Sequence, residues 1–387
     1  MAFYLFSFLL LLLYSGIILF YRQSWLQIDD FDSETNLKAA KPVFISVVVA
    51  ARNEEEYIGS CLASIINQTY PENLFEIILV DDHSSDGTYP IANSFKKDNI
   101  KIIRLEDFTG EGKLNSYKKA AIETAISIAK GDIIVTTDAD CIVKNGWLQT
   151  IACFYSKYDP VFVAAPVAYL DPLPADSNFL KLLKIFQTLD FLSLQGITGA
   201  SVNKKFHNMC NGANLSYSKK VFLEVSGFEG IDNIASGDDM LLMHKIQKVH
   251  PGKICFIKST NAIVKTQAAT SVGEFMNQRI RWASKADKYT DPKIKSVLLL
   301  VYLFNMWMCV VAVCSFFSIV YFYLFIFLLF IKTIVELFFL FPVAKFFGKQ
   351  RLLWWFFPAQ PFHILYTIVA GWLGKFGSYK WKGRTVK

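Results

Sequence analysis

The sequence lacks the motifs by which many proteins hold a nucleotide or a metal. No GxGxxG follows the first predicted strand and no GxxxxGK[ST] occurs, so a nucleotide, if bound, is not held by a Gly-rich phosphate loop. The seven Cys form neither a CxxC pair nor a His/Cys cluster, which argues against a zinc site and a disulfide framework. We expect reduced cytosolic thiols. There is also no internal repeat and no low-complexity linker.

Charge is scarce, and it is absent from long stretches of the 387 residues. Apolar residues make up 53% of the chain and charged residues 19%. Ala2 to Tyr21 is an uncharged run of 20 residues, which as a helix covers a bilayer core of about 30 Å. A cleaved signal peptide would have a basic start, whereas this run is followed by the interfacial sequence Tyr21-Arg22-Gln23-Ser24-Trp25. We therefore predict a retained membrane span.

Two further apolar blocks lie near the C-terminus. The block from Ser296 to Phe341 is interrupted only by Lys332 and Glu336, which lie four residues apart and can pair on one helical face. Its length predicts two spans. The block from 352 to 373 contains Pro358 and Pro361, and is a kinked span, a re-entrant helix or an interfacial helix. The C-terminal region thus has two or three helices.

These blocks divide the chain into four segments. We predict an N-terminal transmembrane helix over 1–21, a globular domain with interfacial helices over 22–295, a membrane region over 296–374 and a basic tail over 375–387. Arg22 follows the first span and no basic side chain precedes it, which places the domain in the cytoplasm of a multi-pass protein of the cell (inner or plasma) membrane. The side of the tail stays open. The net charge of +7 requires no nucleic acid, because basic residues near a membrane favour anionic lipid.

The globular region alternates predicted strands and helices. The strands cover 43–50, 75–80, 100–105 and 133–137, and the helices cover 54–67, 84–97 and 114–129. This alternation predicts an α/β fold with a mostly parallel sheet between helices, in which ligands bind beyond the carboxyl ends of the strands. Polar clusters follow three of these strands: Arg52-Asn53-Glu54, Asp81-Asp82 and Asp138-Ala139-Asp140.

Two pairs of carboxylates carry the candidate chemistry. Asp138 and Asp140 suit one cation such as Mg²⁺, which favours one or two carboxylates plus substrate phosphates; a solvated turn or a helix cap is the alternative. Asp238 and Asp239 precede a predicted helix, so they are either a general base with its neighbour or a helix cap.

Seven stretches, in this order, resemble the membrane-embedded family 2 glycosyltransferases: SVVVAARNEEEYIGSCLASIINQTYP, IILVDDHSSDGT, GEGKLNSYKKAAIETA, VTTDADC, NGANLSYSKKVFLEVSGF, SGDDMLLMHKI and QRIRW. This group includes the cellulose, hyaluronan and chitin synthases and the ceramide glucosyltransferase-like enzymes. The resemblance spans Ser46 to Trp282. It implies a GT-A-type catalytic domain with transmembrane helices at both ends, a nucleotide-diphosphate sugar donor (UDP-linked), a divalent metal (Mg²⁺ or Mn²⁺) and inversion at the anomeric carbon.

The resemblance also assigns roles to particular residues. Four residues match the nucleoside pocket: Ala51, Arg52, Glu54 and Asp82. Lys113 resembles the donor-binding lysine, while Asp138 and Asp140 match the metal-binding DxD pair. Asp239 matches the general base, and Asp238 stands where the family has Glu. Three residues match the QxxRW motif near the diphosphate and the acceptor: Gln278, Arg281 and Trp282. From its chemistry alone, Arg281 offers a planar fork for phosphate oxygens, and Trp282 offers a flat face for a sugar or is an interfacial aromatic.

The acceptor is less constrained by the sequence. Three or four spans are few for a polymer channel, so we favour a lipid hydroxyl that receives one sugar, or very few, over the processive synthesis of a polysaccharide. The apolar segment 178–195 lies in the membrane interface or is an ordinary packed helix. A catalytically silent, membrane-anchored nucleotide-sugar-binding protein is a second alternative. A phosphatase of the haloacid-dehalogenase type is disfavoured because no GDxxxD motif follows the DxD pair.

Overall fold

The structure is a computed structural model that describes residues 1–32, 42–108, 116–232, 234, 237–289, 291–381 and 384–386, the last six of these by their backbone alone. The chain divides into two compact units. We call residues 29–170 and 208–267 the sheet unit, and residues 1–28, 171–207 and 268–387 the membrane-helix unit. Each unit is described by itself.

Within its described residues, the sheet unit contains nine strands, the first four of which match the predicted ones. They are β1 (Ile45–Ala51), β2 (Phe75–Asp81), β3 (Ile100–Arg104), β4 (Ile133–Asp138), β5 (Phe162–Ala164), β6 (Val167–Tyr169), β7 (Leu215–Ser218), β8 (Ile254–Phe256) and β9 (Val264–Thr266). Seven of them form one sheet in the order β3-β2-β1-β4-β7-β5-β8, while β6 and β9 pair separately. The first four strands of that order are mutually parallel, and β7 runs antiparallel to β4 and β5. Continuous Val and Ile runs form these strands because both faces of a parallel sheet are buried.

Six α-helices accompany this sheet in the part of the unit that the structure describes. They are α2 (Ile58–Ile66), α3 (Thr88–Asn93), α4 (Tyr117–Ile128), α5 (Trp147–Tyr158), α7 (Lys219–Glu224) and α8 (Asp238–Val249). The first two begin four residues later than predicted. Asn53 lies in the left-handed region (φ 51°), and Asp86 Oδ1 accepts hydrogen bonds from the Thr88 amide and hydroxyl at 3.0 and 2.6 Å. Both segments therefore form turns before the helix starts.

The membrane-helix unit contains α1 (Ala2–Leu26), α6 (Asn178–Asn203), α9 (Val272–Ala283), α10 (Pro292–Cys314), α11 (Ile319–Phe346), α12 (Phe356–Phe376) and the hairpin strands β10 (Tyr379–Trp381) and β11 (Arg384–Val386). Within the described residues, three helices are long and apolar enough to cross a membrane: α1, α10 and α11. The second apolar block is covered by two helices, α10 and α11. The third block folds into α12, which has Pro361 in its interior.

A polar cluster joins three helices of this unit. Lys332 Nζ on α11 donates to Glu336 Oε1 at 2.6 Å, which confirms the predicted pair, and to Gln360 Oε1 of α12 at 2.8 Å. The hydroxyl of Tyr14 on α1 donates to Glu336. All four residues are buried. The charged groups are thus paired and hydrogen-bonded, as charges removed from water must be.

The units do not follow the predicted boundaries at residues 22 and 295. Helix α6 and helix α9 belong with the membrane helices, although both lie inside the predicted segment 22–295. The reason is packing: Ser24 Oγ on α1 donates to the carbonyl of Ala200 on α6 at 2.5 Å, and Tyr21 Oη lies 2.8 Å from His207 Nε2. Helix α1 also extends to Leu26, five residues beyond the predicted end.

Candidate active site

The three polar clusters that follow predicted strands lie at one edge of the sheet. Strands β1, β2 and β4 are adjacent and parallel, and their register pairs Ala51 with Asp81 and Ala50 with Asp138. The amide of Asp82 donates to the carbonyl of Ala51 at 2.8 Å. Because the strands end together, the residues that follow them lie side by side at the carboxyl edge, where parallel α/β sheets bind ligands.

One side of this edge carries the predicted nucleoside-pocket residues. Arg52 Nη1 donates to the Asp82 carbonyl at 2.8 Å and lies 3.5 Å from its carboxylate. His83 Nδ1 lies 3.0 Å from the same carboxylate, and His83 itself has a φ of 54°, as a turn position allows. The Glu54 amide donates to Thr88 Oγ1 at 2.6 Å. These contacts hold the loops after β1 and β2 together.

The DxD pair lies at the end of β4, next to that pocket. Asp138 is the last residue of the strand, and its side chain is 36% exposed. Asp140 Oδ2 accepts a hydrogen bond from Thr266 Oγ1 of β9 at 2.9 Å. Both side chains are half-buried. The pair offers oxygen ligands of the kind that Mg²⁺ and Mn²⁺ prefer.

A lysine that the sequence analysis did not single out lies between the carboxylates. Lys118 Nζ, near the start of α4, is 2.7 Å from Asp138 Oδ1 and 3.2 Å from Asp238 Oδ2. Burial alone would lower the pKa of this amine, but the charges of Asp138 and Asp238 outweigh it and hold the pKa well above its ordinary value. Lys118 is therefore a permanent cation among these acids.

The second carboxylate pair begins α8. Gly237 precedes it with a φ of 79°, a left-handed conformation that suits glycine. Asp239 Oδ2 accepts a hydrogen bond from the Gly212 amide at 3.1 Å, and Oδ1 accepts one from the Met240 amide at 2.7 Å. Acidic side chains are favourable at a helix start, so the capping interpretation and a catalytic one are compatible at this position.

The neighbouring thiols do not add to the ligand set. Burial raises the pKa of both Cys61 and Cys141, and the charges of Asp138 and Asp140 raise it further, so both thiols stay protonated. No group of three or more His, Cys, Asp or Glu side chains within the described ranges could hold a metal by itself. The DxD pair at the end of β4 supplies two carboxylates, which suits an ion that takes its remaining ligands from phosphate and water.

The remaining predicted residues lie elsewhere. Gln278, Arg281 and Trp282 are on α9 of the membrane-helix unit, where all three are half-buried and the Trp282 ring lies 6.1 Å from that of Phe191. Lys113 falls outside the described residues, so its predicted role stays a prediction. The structure therefore brings Arg52, Glu54, Asp82 and the four carboxylates to one sheet edge, and it places the QxxRW motif in the other unit.

Two family profiles match the chain. Glycosyl transferase family 2 matches residues 46–202, and Glycosyl transferase family group 2 matches residues 133–373, which is more than half of the chain. The chain is 26% identical over 276 residues to a poly-beta-1,6-N-acetyl-D-glucosamine synthase of Staphylococcus epidermidis, covering 67% of the chain and 60% of that protein. It is 30% identical over 116 residues to a beta-monoglucosyldiacylglycerol synthase of Trichormus variabilis, covering 30% of the chain and 24% of that protein.

A solved structure covers almost the whole chain. The mannosyltransferase PcManGT of Pyrobaculum calidifontis, determined in complex with GDP-Man and Mn²⁺, aligns with a TM-score of 0.55 and 18% identity over 96% of each chain. At this identity the likeness concerns the fold alone, and it confirms the fold class predicted from the sequence. The chain spans less than two thirds of the length of either curated relative.

Proposed function

Because the chain belongs to the family 2 glycosyl transferases, we propose that it moves a sugar from a nucleotide-diphosphate sugar, in particular a UDP-sugar, to a membrane-associated acceptor. The acceptor we favour is a lipid hydroxyl. One observation carries the proposal: Asp138 and Asp238, one from each carboxylate pair, both contact the ammonium of Lys118 at the sheet edge where α/β folds bind ligands.

We assign the donor to the pocket after β1 and β2. Arg52 is tied to Asp82, and the backbone of Ala51 and Glu54 is fixed by hydrogen bonds to the neighbouring loop. A pocket whose walls are already hydrogen-bonded loses little conformational entropy when a nucleoside enters it. Lys113 and Arg281 are the basic side chains that we assign to the diphosphate.

We assign the divalent metal, Mg²⁺ or Mn²⁺, to Asp138 and Asp140. The fit rests on the donor set, since two carboxylates at one strand end offer oxygen ligands to a cation and one of them, Asp138, already contacts the ammonium of Lys118. When bound, the ion would neutralise charge on the leaving diphosphate. Asp140 is the better ligand candidate, because the hydrogen bond from Thr266 fixes the orientation of its carboxylate.

We assign the general base to Asp239. In an inverting displacement the acceptor oxygen bonds to the anomeric carbon, the bond to the diphosphate oxygen breaks and the hydroxyl proton passes to the base. The Gly212 amide holds one carboxylate oxygen of Asp239 in place, which reduces the cost of aligning it with an acceptor. Asp238, which contacts Lys118, helps to hold that cation between the two acid pairs.

The membrane acceptor is supported by the helices and by one relative. Three helices can cross a bilayer, and the relative of 30% identity is named for the synthesis of a glucosylated diacylglycerol. We propose that the sheet unit faces the cytoplasm, because Arg22 and the basic residues that follow α11 favour that side. Gln278 and Trp282 are then assigned to the sugar and the acceptor.

Processive synthesis of a polysaccharide is the second candidate. It is favoured by the longer of the two alignments with curated relatives, which matches 67% of the chain to a poly-beta-1,6-N-acetyl-D-glucosamine synthase. The two candidates share donor chemistry and differ in the acceptor and in whether the product stays bound for another addition.

Both candidates can be tested in one experiment. Membranes that contain the full chain are incubated with a panel of radiolabelled UDP- and GDP-sugars, with Mn²⁺ or with a chelator, and lipid-extractable and polymeric products are counted separately. Asp239→Asn serves as the inactive variant, and Asp159→Asn, at a side chain that is 95% exposed, serves as the matched control. Metal-dependent label in lipid supports our preference, label in polymer supports the second candidate, and no transfer from any donor refutes both.

A further inference from the structure

Arg279, which is not one of the three QxxRW residues, is a buried cation within the motif. It lies between Gln278 and Ile280 on α9, and its side chain is 4% exposed. A guanidinium that is removed from water needs a charged partner and a full set of hydrogen bonds. We therefore expect a carboxylate and further hydrogen-bond acceptors next to Arg279.

The partner of Arg279 is Asp190 of α6, also 4% exposed. Arg279 Nε and Nη2 lie 2.9 and 2.6 Å from the same oxygen, Asp190 Oδ2. The other oxygen accepts a hydrogen bond from the hydroxyl of Tyr366 on α12, and His363 Nε2 of the same helix lies 3.6 Å away. Side chains from α6 and α12 thus fix the position of one guanidinium on α9.

The other side of Arg279 contacts two of the three motif residues. Arg279 Nη1 donates to Gln278 Oε1 at 2.6 Å, and its guanidinium carbon lies 4.3 Å from the ring centroid of Trp282. A guanidinium only donates hydrogen bonds, so the amide oxygen of Gln278 must face it and the amide NH₂ must point away. The stacking contact in turn restricts the Trp282 indole, since a cation over its face is favourable.

We propose that Arg279 and Asp190 are positioning residues for the transfer reaction. They orient the Gln278 amide so that it presents hydrogen-bond donors to substrate oxygens, and they hold the Trp282 ring as a fixed surface. The inference rests on the proposed function, because it assigns Gln278 and Trp282 to the substrate. The alternative to this positioning role is a purely structural one, in which the Arg279–Asp190 ion pair only holds α6, α9 and α12 together.

A double-mutant cycle separates these two roles. Initial rates of sugar transfer are measured for Arg279→Lys, Gln278→Ala and the combined variant in the full chain, with the donor and acceptor varied. Lysine keeps the charge but cannot supply the fork of donors. We expect each single change to lower kcat about 10- to 100-fold, because small misplacements of substrate-orienting groups have effects of that size. The combined variant should be no more than about threefold slower than the slower single variant.

A second readout does not depend on turnover. The chain has eight Trp, so the protein is labelled with 5-fluorotryptophan and the Trp282 resonance is assigned with Trp282→Phe. Arg279→Lys should shift that resonance. Glu336→Gln is the matched control, because it alters a buried ion pair of the same unit that is bonded to Tyr14, Lys332 and Gln360 and not to the motif. Should Arg279→Lys fold poorly, Tyr366→Phe removes only one donor to Asp190 and should change the rate in the same direction by a few-fold.

The outcomes are distinguishable. Non-additive rates together with a shifted Trp282 resonance support the positioning role. Rates that multiply in the combined variant, or a resonance that Arg279→Lys leaves unmoved, overturn it while the proposed function stands. A wild-type chain that transfers no sugar from any donor overturns the proposed function itself.

Discussion

Replacing Lys118 by Met should destabilise the free protein and strengthen its binding of a divalent metal. Lys118 makes two charged contacts, at 2.7 Å to Asp138 and 3.2 Å to Asp238. A buried contact of this kind contributes about 1.5–3 kcal/mol. Because 23% of the Lys118 side chain and 36% of that of Asp138 are exposed, solvent screening reduces this to about 1 kcal/mol per contact. The free energy of unfolding should therefore fall by about 2 kcal/mol.

The same change removes a positive charge beside the proposed metal ligands. A divalent ion at Asp138 and Asp140 must displace or approach the ammonium, and their repulsion weakens binding. If the substitution removes about 1.4 kcal/mol of repulsion between the ammonium and the divalent ion, the Kd of the ion falls tenfold. We expect Mn²⁺ to bind ligand-free Lys118→Met about tenfold more tightly than the wild type, as measured by calorimetric titration at pH 7 in detergent. Thermal unfolding with and without Mn²⁺ should show that the metal restores more stability to the variant.

Lys101 provides the matched control. It pairs with Glu76 at 2.8 Å, with 29% of its side chain exposed, in the same unit but near the opposite edge of the sheet. Lys101→Met should lower stability to a similar extent and leave the affinity for Mn²⁺ unchanged. If Lys118→Met binds Mn²⁺ no more tightly than the wild type or Lys101→Met, the placement of the metal beside Lys118 is wrong.

Three further predictions concern single carboxylates. Asp239→Asn keeps an oxygen that can accept from the Gly212 amide, so transfer should fall about 10²- to 10⁴-fold while donor binding stays within a few-fold; unimpaired transfer would refute the base assignment. Asp140→Ala should abolish the stimulation of turnover by Mn²⁺ or Mg²⁺, and full metal-stimulated turnover would argue against its role as a ligand. Burial tends to raise the pKa of Glu76, but hydrogen bonds from Lys101, the Lys130 amide and Ser46 lower it overall. Its stabilising effect is therefore present above its unfolded pKa of about 4.3 and is lost as the pH falls towards the lower folded pKa. The stability difference between wild type and Glu76→Gln should thus disappear in acid, and a difference that stays constant from pH 6 to pH 3 would contradict this reasoning.

The central strands could be predicted because their sequence signal is local. Val47, Val49, Ile77 and Val135 belong to continuous apolar runs, and such runs are typical of strands buried on both faces. The helix starts were less predictable, since the Asp86 turn competes with helix geometry before Thr88. The antiparallel strand β7 was not predicted either, because pairing direction depends on a connection far along the chain.

The candidate site was predicted in part for the same reason. Asp82, Asp138 and Asp140 follow predicted strands, so the sheet topology brings them together. Lys118 was missed because it lies in a lysine-containing helix, where a charged residue usually faces solvent. Its proximity to Asp238, 120 residues away, leaves no periodic signal in the sequence.

The Arg279–Asp190 pair shows a further limit. The two residues are 89 positions apart and lie in segments of ordinary helical pattern. An aspartate within the apolar segment 178–195 was the available signal, since a charge there must find a partner. The partner itself could not be identified without the packing of α6 against α9.

The bond between Tyr14 and Glu336 joins residues 322 positions apart. During synthesis α1 is made long before α11, so the carboxylate of Glu336 can accept this hydrogen bond only after both helices have been made. An unrelated apolar helix in place of α1 would still anchor the chain in the membrane, but it would lack the Tyr14 hydroxyl that donates to Glu336. The first helix is thus a folding component of the bundle, and exchanging it for a generic anchor sequence should yield a chain that reaches the membrane yet assembles incorrectly there.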